Sequence, residues 1–286
     1  MNNRKQRKTK GKNWFLLLII IAVFLLVLLL IIMPHGKRNY LFIGMDNYGS
    51  LNDVGRSDTI LLVHLDFDRH NIGLVTFARD ILLNYKGKDQ KINTIVRLGG
   101  EEALVDVIKD SFNVSIDGWF RLNFSSFISI IDEIGGVTVE LTDAEARYIT
   151  NQVGVYPDHP LSEGECLLNG DQSLSYARCR RLDNDFGRGN RASKLANALI
   201  RESSRMSIRK IIDLFYSMKH AWRSDLSSAA QIRLICSALW LRHAPVTRVG
   251  IPFEKLYHYG NSSTGDNGVI LYLDRNVERL HDAIAF

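Results

Sequence analysis

The sequence has few of the residues that mark several large classes of protein. It contains 3 cysteines and 5 prolines among 286 residues, which excludes a disulfide scaffold and a proline-rich disordered chain. The cysteines also lack the CxxC and Cys/His spacings of zinc sites, and they allow at most one internal disulfide. With 46% hydrophobic and 23% charged residues, the chain can bury a sizeable core. The composition therefore indicates a globular protein of one or two domains.

Acidic residues are absent before Asp46, and this absence explains the net charge. Six Lys or Arg residues lie within residues 4–12, and the remaining 30 of the 36 basic residues face 31 acidic residues. The excess of +5 therefore belongs to the N-terminal tail. A general nucleic-acid-binding face loses its main support, and nucleic acid is not expected as a partner.

One long apolar run is present, from Trp14 to Met33, with no charge, glycine or proline. At about 1.5 Å per residue it can cross a hydrocarbon core of about 30 Å. The run ends without the small-residue cleavage site of a signal peptide, so we expect an uncleaved transmembrane anchor over residues 14–34. Because the basic residues precede it, the positive-inside rule predicts a cytoplasmic tail over 1–13 and an extracytoplasmic domain over 35–286. The expected location is the cell membrane, with a single span.

Short apolar runs alternate with amphipathic segments through the rest of the chain. The runs predict strands at 39–45, 59–65, 72–77, 118–123, 137–141, 246–251 and 269–273. Helical spacing predicts helices at 101–112, 124–134, 169–177, 188–218 (as one helix or interrupted), 227–242 and 274–284. The short polar segment 66–71 favours an antiparallel hairpin. Strands and helices interleave without a linker, which predicts a single α/β/α sandwich domain with a mixed central sheet, preceded by one transmembrane helix.

Polar residues cluster where the first three predicted strands begin or end. Asp46 follows the first strand, Arg56 and Asp58 precede the second, and Arg79 and Asp80 follow the third. Ligands of open α/β sheets bind at such ends. Paired carboxylates suit Mg²⁺ bound to phosphates, and the planar fork of arginine suits phosphate oxygens. Aspartates and arginines are also ordinary at strand ends, so the spacing alone leaves a purely structural interpretation open.

A second cluster, residues 178–191, holds five arginines. Close guanidinium groups repel each other, and a polyanion such as pyrophosphate would neutralise them; a solvated charged loop is the alternative. The triplet at 185–187 matches the metal motif of protein kinases. The glycine-rich loop, strand lysine and catalytic loop of kinases are missing, which argues against that interpretation.

Seven short motifs occur in an order that resembles the LytR-CpsA-Psr family. They lie at 41–46 (LFIGMD), 55–60 (GRSDTI), 76–80 (TFARD), 91–93 (KIN), 134–137 (IGGV), 168–178 (LNGDQSLSYAR) and 183–188 (DNDFGR). The similarity extends over about residues 39–200 and includes the anchor topology. It implies a membrane-anchored phosphotransferase of cell-wall assembly. Such proteins transfer a glycopolymer from a polyprenyl-pyrophosphate carrier to peptidoglycan, with Mg²⁺ or Mn²⁺ as cofactor.

The resemblance also implies roles for individual residues. Asp46 and Asp58 match the catalytic, metal-linked acidic positions. The positions of the phosphate-contacting arginines are matched by Arg56, Arg79, Arg178, Arg180, Arg188 and Arg191. We expect Asp80 to orient Arg79 or to assist proton removal, and a capping role is the alternative. After Arg191 the family usually has glutamine, whereas this chain has Ala192 and Ser193, so one polar contact is in doubt.

The implied partners are a polyprenyl-pyrophosphate-linked glycan, a peptidoglycan acceptor and the membrane. Apolar stretches at 128–134, 195–200 and 232–241 are candidates for a lipid slot, or are ordinary core. Two other functions remain open: a polyprenyl-pyrophosphate phosphatase, in which water is the acceptor, and a non-catalytic binder or regulator. A pure binder would not need the Asp46 and Asp58 pair. A DNA-binding regulator is not expected, since a tail of about 13 residues is too short to fold into a reader of bases.

Overall fold

A computed structural model describes residues 35–53, 55–156, 158, 160–179, 185–263 and 265–284, with the side chains of 185–188 and 238 left aside. The chain divides into two compact units, Met1–His35 and Gly36–Phe286, and the elements given below belong to the second. The predicted cytoplasmic tail and transmembrane helix, residues 1–34, lie outside the described residues. Within the described ranges, no helix combines the length and the apolar character that a membrane span needs.

The described residues form twelve strands and eight helices. In chain order these are β1 (Lys37–Met45), β2 (Ser57–Asp66), β3 (Asn71–Phe77), β4 (Leu82–Tyr85), β5 (Lys88–Lys91), α1 (Ile92–Phe112), β6 (Gly118–Leu122), α2 (Phe124–Ile134), β7 (Val137–Leu141), α3 (Asp143–Val153), β8 (Gly164–Leu168), α4 (Gly170–Ala177), α5 (Asp185–Arg205), α6 (Ile208–Met218), β9 (Arg223–Ser224), α7 (Ser228–Trp240), β10 (Val246–Ile251), β11 (Tyr257–Asn261), β12 (Asn267–Leu271) and α8 (Leu273–Ile284).

The central sheet has six strands in the order β10-β3-β2-β1-β6-β9. β2 runs antiparallel to β1 and β3, whereas β6 is parallel to β1 and β10 is parallel to β3. The predicted mixed sheet and the predicted β2–β3 hairpin are confirmed. These directions bring the C-terminal ends of β1, β3, β6 and β10, and the start of β2, to one edge of the sheet, here called the site edge.

Helices cover both faces of this sheet. Side chains alternate along each strand: Leu41 and Ile43 are fully buried against α1 and α8, and Phe42 packs on the other face. That other face is covered by residues of α5 and α7, including Ile200 and Leu234. A third core lies between α2, α3, α4, α5 and the antiparallel pair of β7 and β8.

Two of the predicted helices belong to divided segments. The segment 188–218, expected as one helix or as an interrupted one, is interrupted: α5 ends at Arg205, and the side chain of Ser207 caps α6 by accepting a hydrogen bond from the backbone N–H of Lys210. The predicted helix over 101–112 is the second part of α1, because Gly100, with φ 83° and ψ −177°, divides this helix; the part from Ile92 to Gly99 was not predicted. Glycine adopts this conformation without the penalty that other residues meet.

His64 in β2 is fully buried, and its protonation is expected to oppose folding. Its Nδ1 lies 2.7 Å from Asn39 Oδ1. Burial is the main cause that lowers the pKa of His64 to about 4. The positive charges of Lys37 and Arg69 also lower this pKa, and the Asp66 carboxylate opposes them. Between the unfolded pKa of 6.5 and a folded pKa of about 4, the unfolded chain binds more protons. Stability should therefore fall as pH falls through this window, by up to about 3 kcal/mol.

The measurement is chemical denaturation of wild type and His64→Gln at intervals from pH 7 to pH 4. The difference in unfolding free energy between the two should shrink as the pH falls, because the glutamine does not titrate. A difference that stays constant across the window would contradict the buried neutral histidine.

Candidate functional site

A β-bulge places Asp58 at the site edge. Gly44 pairs with Thr59, but the next residue, Met45, pairs with Ser57, so Asp58 is the extra residue of β2. A bulge interrupts the regular alternation of side chains and redirects the bulged residue. The Asp58 side chain is 7% exposed, and its Oδ1 lies 3.3 Å from Nη1 of Arg79, directly after the neighbouring β3. Two of the predicted site residues are thus in direct contact.

Arg79 belongs to a line of four alternating charges. Its Nε lies 3.2 Å from Asp80 Oδ2, and Asp80 Oδ1 lies 3.1 Å from Lys91 Nζ. Because Arg79 contacts a carboxylate through each of two nitrogens, the plane of its guanidinium group is defined. The Arg79 side chain is 23% exposed, so part of this cation reaches the surface at the site edge.

Asp46 begins a loop, residues 46–56, whose two ends are joined. The backbone N–H of Asp46 donates to the carbonyl of Arg56 at 3.1 Å, and the N–H of Arg56 donates to Asp46 Oδ1 at 3.0 Å. Asp46 is therefore held beside the segment that leads into Asp58. The side chain of Arg56 is exposed.

The same loop is fastened to the segment that follows β6. Three hydrogen bonds join them. Phe124 N donates to the carbonyl of Asn47 at 2.9 Å, and Asn123 Nδ2 donates to the carbonyl of Gly49 at 2.6 Å. Ser125 Oγ donates to the carbonyl of Tyr48 at 3.0 Å. The carbonyl of Asp53 accepts one from Arg121 Nη2, and Arg121 Nη1 pairs with Glu101 at 2.6 Å. This set of bonds restricts the position of Asp46.

Arg178 reaches this loop through an aromatic contact. Its Cζ lies 4.5 Å from the centre of the Phe124 ring, and that ring meets Tyr48 edge to face at 5.1 Å. Arg178 follows α4, which packs closely on α2 because Gly170 has no Cβ; one there would lie 2.5 Å from the carbonyl oxygen of Ile128. Packing of α4 on α2 thus brings an exposed arginine beside the loop that follows Asp46.

The first turns of α5 lie over the end of β3. A Cβ on Gly189 would lie 3.2 Å from Thr76 Oγ1. A cavity of about 20 Å³, enough for one water molecule, is lined here by Asp58, Thr59, Ile60, Thr76, Phe77, Ala78, Arg79, Gly189 and Ala192. A neighbouring cavity of about 240 Å³ shares Thr76 and Gly189 and adds Arg248 and Ser193. Ala192 and Ser193, where the family usually has glutamine, therefore face these two cavities.

Arg191 lies in the interior rather than at the surface of the site. It is 3% exposed, its Nη2 donates to the carbonyl of Cys179 at 2.5 Å, and its Nη1 lies 3.8 Å from Glu145 Oε1. These contacts join α5 to α3 and to the end of α4. The prediction that Arg191 contacts phosphate stays a prediction. Arg180 lies outside the described residues, and the side chain of Arg188, in α5, is not described.

The donor atoms near Asp46 and Asp58 fit a hard divalent cation. Asp46 Oδ2 makes no hydrogen bond within the described residues. The side-chain oxygens of Asn47 and Asn93 are buried, and no donor among the described residues reaches them. The backbone places Asn93 near the site: its N–H donates to the carbonyl of Arg79, and its carbonyl accepts a hydrogen bond from Ser57 Oγ. In the part of the chain that the structure describes, His, Cys, Asp and Glu form no group of three or more that could hold a metal. Mg²⁺ or Mn²⁺ would thus rest on two carboxylates, water and substrate phosphates.

Three residues of this site were not singled out from the sequence. Lys91 and Asn93 lie in the Lys-Ile-Asn motif that contributed to the family resemblance, but no role had been given to either. Phe124, which joins Arg178 to the loop, begins a helix and carries no local signal of function.

Comparisons with known proteins agree with the motifs. The model of the LytR_cpsA_psr family matches residues 5–271. TagV of Bacillus subtilis (strain 168), a polyisoprenyl-teichoic acid–peptidoglycan teichoic acid transferase, is 32% identical over 180 residues, which are 60% of this chain and 45% of TagV. The chain covers 45% of the length of TagV and 61% of the length of TagU from Bacillus licheniformis.

Solved structures have the same fold. TagT bound to LIIa-WTA has a TM-score of 0.71 at 21% identity, over 88% of this chain and 92% of that one. TagT with bound octaprenyl pyrophosphate lipid has a TM-score of 0.67 at 19% identity, over 88% and 91%. The ordered motifs, the fold and a family model that matches most of the sequence lead to one conclusion: the chain belongs to the LytR_cpsA_psr family.

Proposed function

We propose that this protein is a membrane-anchored, Mg²⁺-dependent phosphotransferase that moves a glycopolymer from a polyprenyl-pyrophosphate carrier onto peptidoglycan. The observation that carries the proposal is the arrangement of Arg79 between Asp58 and Asp80, beside the fastened loop of Asp46. The transferase activity of TagV and the octaprenyl pyrophosphate bound to TagT support the same substrate class. The apolar run Trp14–Met33 supports the anchor, with the N-terminus in the cytoplasm.

Phosphoryl transfer depends mainly on charge neutralisation and in-line positioning. Asp46 and Asp58 would hold the divalent cation, which supplies charge neutralisation at the pyrophosphate. Arg79 would contact phosphate oxygens, and the exposed Arg56 and Arg178 would add positive charge around them. An acceptor hydroxyl would then attack the phosphorus that carries the sugar. The bond from this phosphorus to the bridging oxygen breaks, the polyprenyl phosphate leaves, and the hydroxyl proton passes to solvent or to the leaving phosphate.

The contacts of Asp80 favour the first of its three expected roles. Both of its carboxylate oxygens are engaged by cations, Arg79 on one side and Lys91 on the other. These two contacts fix the orientation of the carboxylate beside the guanidinium group of Arg79. Asp80 therefore acts as a positioning residue for Arg79.

The test uses the full chain in lipid vesicles with a polyprenyl-pyrophosphate-linked glycan labelled in its sugar, peptidoglycan fragments and Mg²⁺. We expect the label to appear on peptidoglycan, and to stay on the lipid when EDTA is added. Label released as free glycan phosphate would identify a phosphatase instead. Label that stays lipid-linked with Mg²⁺ present, while the lipid co-purifies with the protein, would identify a binder.

A further inference from the structure

Helix α7 exposes apolar side chains on its outward side. Ile232, Cys236 and Trp240 follow one another at intervals of four residues and so share one side of the helix. Ile232 is 36% exposed, Trp240 is 48% exposed, and Cys236 is exposed. The opposite side already supplies Leu234, followed by the fully buried Leu241, to the core on that face of the sheet. A helix that is apolar on its outward side as well marks an interaction surface.

The segment that contains α7 has no acidic residue of its own. Residues 226–253, which include all of α7, contain no Asp or Glu but three arginines. One of them, Arg233, is exposed next to Ile232. An apolar stripe with a tryptophan and adjacent arginines has the composition of a helix that lies in the headgroup region of an anionic bilayer. A negatively charged protein partner would also satisfy the arginines but would not explain the apolar stripe as well.

α7 packs beside the beginning of β1. Leu234 and Tyr40 contact the same buried cluster. Burial and Asp117 raise the pKa of Tyr40, whereas Arg38 and Arg233 lower it, so the charge of Arg233 acts close to the start of β1. In the sequence, residues 35 and 36 separate the proposed span, 14–34, from Lys37. Three residue steps reach at most about 11 Å, so an anchor at 14–34 would limit the distance between the bilayer and the start of β1.

We infer that the outward face of α7, formed by Ile232, Arg233, Cys236 and Trp240, docks on the outer surface of the membrane, with anionic lipid headgroups as its partner. The inference rests on the proposed anchor and is independent of the proposed transfer reaction. A single span leaves the domain free to tilt, and a second contact through α7 removes this freedom. The site edge is then held in one orientation relative to the bilayer.

Cys236 allows a test that needs no amino-acid substitution, because it is exposed whereas Cys166 and Cys179 are buried. The full chain carries a nitroxide on Cys236 and is reconstituted into vesicles of phosphatidylglycerol and phosphatidylcholine. Collision with oxygen, which concentrates in the bilayer, is compared with collision with a nickel complex, which stays in water. We expect nickel accessibility severalfold lower at Cys236 than at Asp282→Cys in a Cys236→Ser background; Asp282 is exposed on α8.

A second control tests whether exposed apolar residues elsewhere on the protein also bind the bilayer. Ile212 on α6 is 41% exposed, and Ile212→Cys in the same Cys236→Ser background should remain accessible to nickel. Protection should weaken in phosphatidylcholine alone and with Arg233→Glu, since both remove the charge attraction.

Equal nickel accessibility at positions 236 and 282, in chains that resist carbonate extraction from the vesicles, would overturn the docking surface. Protection from the nickel complex at position 212 but not at position 236 would also overturn it. Spectral broadening from contact between two labels at position 236 would overturn it as well, because it would identify a second copy of the chain as the occupant. A chain that is extracted by carbonate would overturn both the anchor and the docking inference. None of these results bears on the labelled-glycan assay.

Discussion

Asp58→Asn is expected to lower Mg²⁺-dependent transfer from a polyprenyl-pyrophosphate-linked glycan by about a hundred- to a thousand-fold, the range seen when a charge-stabilising group is removed from an active site. The substitution keeps the size of the side chain but removes its negative charge. The divalent cation would lose one of two carboxylates, and Arg79 would lose the partner that lies 3.3 Å from its Nη1. Arg79 keeps Asp80 at 3.2 Å, so the fold around the site should survive.

The measurement is the labelled-glycan assay at a series of Mg²⁺ concentrations, together with Mn²⁺ binding followed by electron paramagnetic resonance. Asp282→Asn, an exposed aspartate on α8, is the matched control and should behave as wild type. Asp46→Asn should show a loss similar to that of Asp58→Asn. Wild-type turnover and wild-type Mn²⁺ affinity in Asp58→Asn would remove the metal role of this residue.

Arg121→Met is expected to lower the free energy of unfolding by about 3–5 kcal/mol, the usual cost of leaving one member of a buried ion pair without its partner. Arg121 and Glu101 are 3% and 6% exposed and lie 2.6 Å apart. The variant leaves the Glu101 carboxylate buried without its cation. It also removes the donor to the carbonyl of Asp53, so the loop of Asp46 should become more mobile.

Chemical denaturation measures the loss of unfolding free energy, and hydrogen exchange of the backbone amides of residues 47–53 measures the mobility of the loop. Arg38→Met is the control: the Arg38–Asp117 pair lies 3.4 Å apart with side chains 52% and 28% exposed, and its loss should cost less than about 1 kcal/mol. The double variant Glu101→Gln with Arg121→Met should recover part of the stability. An Arg121→Met variant that is no less stable than Arg38→Met would contradict the structural role of the pair.

The strands and helices of the central layers are the part of the fold that local pattern predicts well. The predicted bounds of α2, β7 and β10 agree with the structure, and those of β1 to β3 differ by one or two residues. These segments bury regular sets of apolar side chains, so their periodicity is strong.

Short hairpins and one helix were missed. β5 (Lys88–Lys91) and β11 (Tyr257–Asn261) contain few buried apolar residues and form by pairing with β4 and β12. Helix α3 was missed although Thr142 and Glu145 form a capping box at its start, a signal that the sequence does contain. β8 pairs with β7 and alternates in burial, but its sequence, GECLL, does not alternate between polar and apolar residues, so the strand was not predicted.

The candidate site was likewise predicted only in part from the sequence. Asp46, Asp58 and Arg79 were placed at strand ends from the sequence, because the apolar runs stop there. The contact between Asp58 and Arg79 depends on the bulge in β2 and on the antiparallel pairing of β2 with β3. The burial of Arg191 depends on Glu145 of α3, a helix that the sequence pattern did not reveal.

By itself, the sequence determined where the apolar runs lie, where the excess positive charge is, and which family the ordered motifs match. Only the tertiary structure decided which polar groups meet: Arg178 with Phe124, Asp80 with Lys91, and the loop of Asp46 with the segment after β6. The reason is physical. Periodicity and turn chemistry act over a few residues, whereas contacts between distant segments are set by strand order, register and the close packing of helices.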